Sequence, residues 1–169
     1  MASAFFNPKA ARFWPALGLA ALTGSRATVG PAFLSQYLAG QALAPGLAGS
    51  PLRFLARPGT AKALKFLIAG ELVGDKLPKT PNRIVPQQLA TRAASGALVG
   101  ATLYKAKGGS AVGGALIGTL STVAATYLTY YLRKGISEKT NTPTALVGAG
   151  EDALVLAGGS ALAKGLAKR

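Results

Sequence analysis

The chain predicts an all-α fold, an integral membrane helical bundle of about four to five transmembrane helices, and three observations predict it. Half of its 169 residues are hydrophobic and only 14% are charged, against about 25% charged in an ordinary soluble domain. Most of the 19 Lys and Arg fall between apolar runs, where anionic lipid head groups would meet them. Among the 5 acidic residues, Glu71, Asp75, Glu151 and Asp152 lie inside or at the edge of apolar segments. An ionisable group at membrane depth costs at least ~2.5 kcal/mol on insertion scales, so it is paired or functional.

The composition also excludes. With no Cys and no His, disulfides, thiol nucleophiles, imidazole bases and the commonest zinc ligands are absent, and no cofactor is implied. A net charge of +14 is compatible with a nucleic-acid partner, but no basic stripe with interleaved aromatics appears. The expected partners are the lipid bilayer and its anionic head groups. The chain reads as one membrane domain over 1–169: an N-terminal tail 1–12, a first half 13–77, a loop 78–87, a second half 88–163 and a basic tail 164–169.

Taken in order, Phe13 to Leu22 is apolar but short, and Thr23-Gly24-Ser25-Arg26 interrupts it before Ala27 to Leu43 resumes. Gly24 can end one helix and Ser25 can cap the next. The segment is therefore broken or re-entrant: two half-helices meeting at a polar break, or a surface-lying helix followed by one span. Lys9 and Arg12 before an apolar stretch also fit the start of a signal peptide, yet Arg26 stands where cleavage would fall. Pro45 to Gly59 reads as a basic loop. Ala61 to Leu77 is a short helix stopped by Pro78, with Glu71 and Asp75 four residues apart on one face.

In the second half, Val85 to Tyr104 makes a helix starting after Pro86, and the run Gly108 to Leu132 carries no charge. The link Lys105-Ala106-Lys107 is so short that the two form an antiparallel hairpin. Tyr127, Tyr130 and Tyr131, followed by Arg133-Lys134, have the form of an aromatic belt with cations beyond it. After a polar loop from Ser137 to Pro143, Thr144 to Ala163 is a further span with Glu151-Asp152 near its middle. Cations flank both ends of nearly every span, so the sequence leaves orientation balanced.

Two patterns organise the interior. Gly70 and Gly74, Gly96 and Gly100, Gly109 and Gly113, and Gly114 and Gly118 are spaced by four, so each pair shares a helix face on which backbones approach closely in lipid. These pairs glue the chain's own helices or serve a homo-oligomer. The stripe Gln88, Arg92, Gly96, Gly100 turns Arg92 toward the same close-packed face. Arg92, Arg26 at the break and the four acids are thus the candidate intramembrane polar site, with Arg92 expected within reach of Glu71 or Asp75.

The run Glu71-Leu72-Val73-Gly74-Asp75-Lys76-Leu77-Pro78-Lys79-Thr80-Pro81-Asn82-Arg83, then Ala90-Thr91-Arg92-Ala93-Ala94-Ser95-Gly96-Ala97 and Glu151-Asp152-Ala153-Leu154, resembles a family of small bacterial multi-pass membrane proteins defined by a domain of unknown function. The resemblance implies a bacterial inner-membrane location and brings no activity with it. Three classes of function follow: a structural or accessory membrane protein with internal ion pairs, a small proton- or ion-linked transporter, and an intramembrane enzyme. The last is disfavoured because no nucleophile stands beside a base, and the expectation is a non-enzyme.

Overall fold

The computed structural model describes residues 8–74, 84–140 and 144–167. Every regular element among them is helical: α1 (Pro8–Ser25), α2 (Val29–Ala39), α3 (Pro45–Ala48), a 3-10 helix (Pro51–Ala56), α4 (Pro58–Gly74), α5 (Pro86–Ala106), α6 (Ala111–Thr140) and α7 (Thr144–Ala167). Pro8, Pro45, Pro51, Pro58 and Pro86 each open an element, where the missing N–H would have no partner and the fixed φ suits the helix.

Several boundaries differ from expectation. Helix α1 takes in the end of the expected N-terminal tail, and the expected basic loop folds into α3 and the 3-10 helix. Helix α2 stops at Gly40 rather than Leu43. Helix α6 runs on past Arg133-Lys134 to Thr140, since Gly135 is the only helix-weakening residue from 133 to 140 and no Pro ends the helix there; Ser137–Thr140 of the expected polar loop are its last turn. Helix α7 likewise continues to Ala167.

Helices α5 and α6 form the expected antiparallel hairpin. Gly108 adopts φ 69°, and the Gly109 and Gly108 amides return to the Tyr104 and Lys105 carbonyls at 2.7 and 3.2 Å. This pair of bonds closes α5 in a Schellman motif that needs a left-handed residue. Beyond the turn, Gly96 and Gly100 of α5 meet Gly118 and Gly114 of α6 backbone to backbone. A Cβ on Gly96 would stand 2.7 Å from the Gly118 carbonyl oxygen, and one on Gly118 only 3.2 Å from the Gly100 Cα. The Gly109 and Gly113 pair makes no such seam, and the surroundings of Gly74, the partner of Gly70, fall outside what is described. Gly109 lies in the turn against Tyr104 and Arg12, Gly113 has nothing closer than Ser110 Cβ at 3.8 Å, and Gly70 faces open space.

Helix α1 lies parallel to α6, joined by hydroxyls. Ser121 Oγ donates to Leu17 O at 2.8 Å, Thr122 Oγ1 to Ala20 O at 2.7 Å and Thr126 Oγ1 to Gly24 O at 3.2 Å. Helix α7 runs antiparallel to α1, with Leu162 against Gly18 at one level and Asp152 against Arg26 at the other. Helix α2 then turns back along α1. Gly30 packs on the Leu19 carbonyl and Thr23, the Phe33 ring covers Gly159, and Gly46 beyond α2 reaches the Lys105 carbonyl at the far end of α5. The α1–α2 pair is thus a hairpin whose two ends lie together and whose tip is Arg26-Ala27-Thr28. With 11 residues, α2 spans only about 16 Å, and Val29 through Ser35 are all buried.

Around an apolar core that includes Leu19, Leu34, Val99 and Leu103, α6 and α7 bury polar residues and expose apolar ones. Thr122 is 0% exposed while Leu120, two residues away, is 70% exposed; Asp152 is 9% exposed and Leu154 is 76%. Val112, Leu116, Leu120, Leu128 and Leu132 form an outward stripe along α6. Two of the described helices, α6 and residues Leu146–Ala167 of α7, are long and apolar enough to cross a membrane.

Candidate functional site

The polar residues converge on the tip of the α1–α2 hairpin. In an unbroken helix the amides of Ala27 and Thr28 would bond to the carbonyls of Thr23 and Gly24. Here they bond to Glu71 of α4: Ala27 N donates to Oε1 at 2.9 Å and Thr28 N to Oε2 at 3.1 Å, and the Thr28 hydroxyl also donates to Oε2. Thr28 is the N-terminal neighbour of α2, yet its side chain makes no cap. The Glu71 carboxylate takes that place from another helix, a negative group at the positive end of the α2 dipole.

The opposite end of the break is answered by a cation. The Gly24 carbonyl, in the last turn of α1, accepts Arg92 Nη1 at 2.9 Å and Thr126 Oγ1 at 3.2 Å. The last carbonyls of a helix lack intrahelical partners and carry the negative end of its dipole. Arg92 from α5 and Thr126 from α6 supply donors there without opening the bundle to water. Gly24 itself is pressed on α6, where a Cβ would stand 2.8 Å from the Thr122 carbonyl oxygen.

Arg26, at the tip itself, is 3% exposed and grips α7. Its Nε donates to Asp152 Oδ1 at 2.7 Å and its Nη2 to Oδ2 at 2.6 Å, the two-pronged geometry that makes guanidinium–carboxylate pairs strong. Glu151 beside it is half-buried, with Oε2 shielded from solvent. The break is therefore held by α4 through Glu71, α5 through Arg92, α6 through Thr126 and α7 through Asp152.

Of the expected site residues, Arg26, Glu71, Arg92 and Asp152 meet at one place, and Asp75 lies outside the described residues. The expectation set Arg92 against Glu71 or Asp75, and Asp75 falls outside the described residues; among those described, Arg92 Nη1 donates to the Gly24 carbonyl, at the α1 end of the same break that Glu71 holds from the α2 end. The hydroxyl ladder of Ser121, Thr122 and Thr126 was not anticipated. Its signal was present, since Gly114, Gly118, Thr122 and Thr126 follow one another at four-residue steps, and all are buried. Among the described residues, no three acidic side chains gather in a way that could hold a metal ion. No family model matches the chain, and no curated protein or solved structure is significantly similar to it.

Proposed function

We propose that this chain is a structural or accessory membrane protein in which α4 to α7 cross the bilayer around a re-entrant α1–α2 hairpin, and in which the buried charges are ties rather than carriers. One observation carries the reading: the two carboxylates that hold the break, Glu71 and Asp152, are already matched, with Glu71 taking three donors and Asp152 both prongs of Arg26. A charge that must bind and release a proton or ion at each cycle is poorly served by so complete a set of partners. Burial of Thr122 and Asp152 inside an apolar shell supports the membrane setting. So do the aromatic residues near opposite ends of the bundle, Trp14 at one and Tyr127 and Tyr131 at the other, all exposed. A bacterial inner membrane is the expected compartment.

A second reading, a small proton- or ion-linked transporter, draws on the broken helix, because paired half-helix ends near the midplane are a device of ion-coupled carriers. Proteoliposomes loaded with a pH-sensitive dye separate the two. The tie reading expects wild-type vesicles to leak no faster than empty ones. Flux through wild type that disappears in a folded Glu71→Gln variant would replace it with the transporter.

A further inference from the structure

We propose that the end of the bundle holding both ends of the α1–α2 hairpin docks on an anionic leaflet and faces the cytoplasm. The inference rests on the membrane reading above and adds to it a direction and a lipid chemistry. The hairpin removes the balance seen in sequence. Because α2 returns alongside α1, the start of α1, the α2–α4 link, the α5–α6 turn and the end of α7 all come to one end. A first segment that crossed the bilayer would have divided them between two.

Among the described residues, every charged group at that end is basic. Arg12, Arg57, Lys105 and Lys164 each stand about 18–21 Å along their helices from the level of the break, at 1.5 Å per residue. Arg53 and Lys107 lie in the adjoining connections. The Arg12 guanidinium sits over the Tyr104 ring at 5.8 Å, tying α1 to the end of α5 there. Among the described residues, the segments at this end, 8–12, 40–60, 105–110 and 164–167, contain no Asp or Glu. At the other end, residues 133–140 mix Glu138 with their cations, and Glu138 pairs with Lys134 at 3.9 Å. Cation excess in short loops marks the cytoplasmic side, and an acid-free cluster complements acidic phospholipid head groups.

The absence of Cys makes the test direct. Lys107→Cys, Lys164→Cys and Lys139→Cys each introduce a single thiol into the full chain. An impermeant maleimide should label Lys139→Cys in intact spheroplasts, and Lys107→Cys and Lys164→Cys only after the membrane is opened. The reverse pattern, or equal labelling of all three from outside, overturns the orientation. In detergent, phosphatidylglycerol should raise the unfolding temperature where phosphatidylcholine does not. That rise should vanish in the Lys105→Gln, Lys107→Gln double variant and persist in Lys134→Gln, Lys139→Gln. An equal rise with both lipids, or in both double variants, overturns the lipid contact. Release of the protein by a carbonate wash would instead defeat the membrane reading, whereas a carbonate-resistant protein with reversed labelling defeats the orientation alone.

Discussion

The α5–α6 seam and the α1–α2 break are both places where helices meet at close range, and they are built from opposite materials. In the seam, side chains are removed: Gly96 and Gly100 lie on Gly118 and Gly114 with backbone against backbone, and packing alone holds them. At the break, long charged side chains are brought in to satisfy backbone groups that the interruption of a helix leaves open. The seam joins neighbours in the chain through a tight turn. The break joins Arg26 to Asp152 across 126 positions and Ala27 to Glu71 across 44. On the membrane reading proposed above, burying apolar surface between helices gains little, so closeness and polar matching do much of the work that a hydrophobic core does in water.

The contrast orders the effects of substitution. The largest loss is expected for Asp152→Ala, which leaves Arg26 buried without its carboxylate, at about 3–5 kcal/mol; reversible unfolding in mixed micelles measures it. Next is the seam, where Gly118→Ala forces a methyl onto the α5 backbone and should cost about 1–3 kcal/mol. Glu71→Gln keeps the size of the side chain but weakens charge-assisted bonds to the start of α2, for an expected loss of about 1.5–3 kcal/mol. Thr122→Val removes one interhelical hydrogen bond, worth about 0.6 kcal/mol. Gly113→Ala should be neutral or stabilising by up to about 1 kcal/mol, because its methyl meets nothing closer than Ser110 Cβ at 3.8 Å and alanine favours the helix. The adjacent Gly114→Ala should behave like Gly118→Ala. Equal effects at 113 and 114 would show that the seam is not where the structure puts it.

How far each region could be read from sequence follows from the same difference. The seam was legible because a four-residue period is local: Gly96, Gly100, Gly114 and Gly118 announce a face, and Lys105-Ala106-Lys107 permits only a hairpin. The same rule overreached at Gly70 and Gly113, since spacing states that a face is small and not that another helix lies on it. At the break, Arg26, Arg92, Glu71 and Asp152 were recognisable as inward-facing by the cost of exposing charge to lipid. Their partners were not, because pairing is decided by which helices adjoin. Glu71 as a cap for α2 could not be foreseen, since helix caps are sought within a few residues of the helix they close. The return of α2 along α1 was not read from the sequence; it hinges on Gly30 fitting against Leu19 and Thr23.

The central claim, that the buried charges tie the hairpin into the bundle, is tested most directly by a double-mutant cycle on Arg26 and Asp152. Unfolding free energies would be measured in micelles for Arg26→Met, Asp152→Leu and the two together. The account predicts that each single variant is strongly destabilised and that the double variant recovers most of the loss, as replacement of a whole buried ion pair by apolar groups does elsewhere. A double variant whose loss equals the sum of the two singles would mean that Arg26 and Asp152 act separately, and would contradict it.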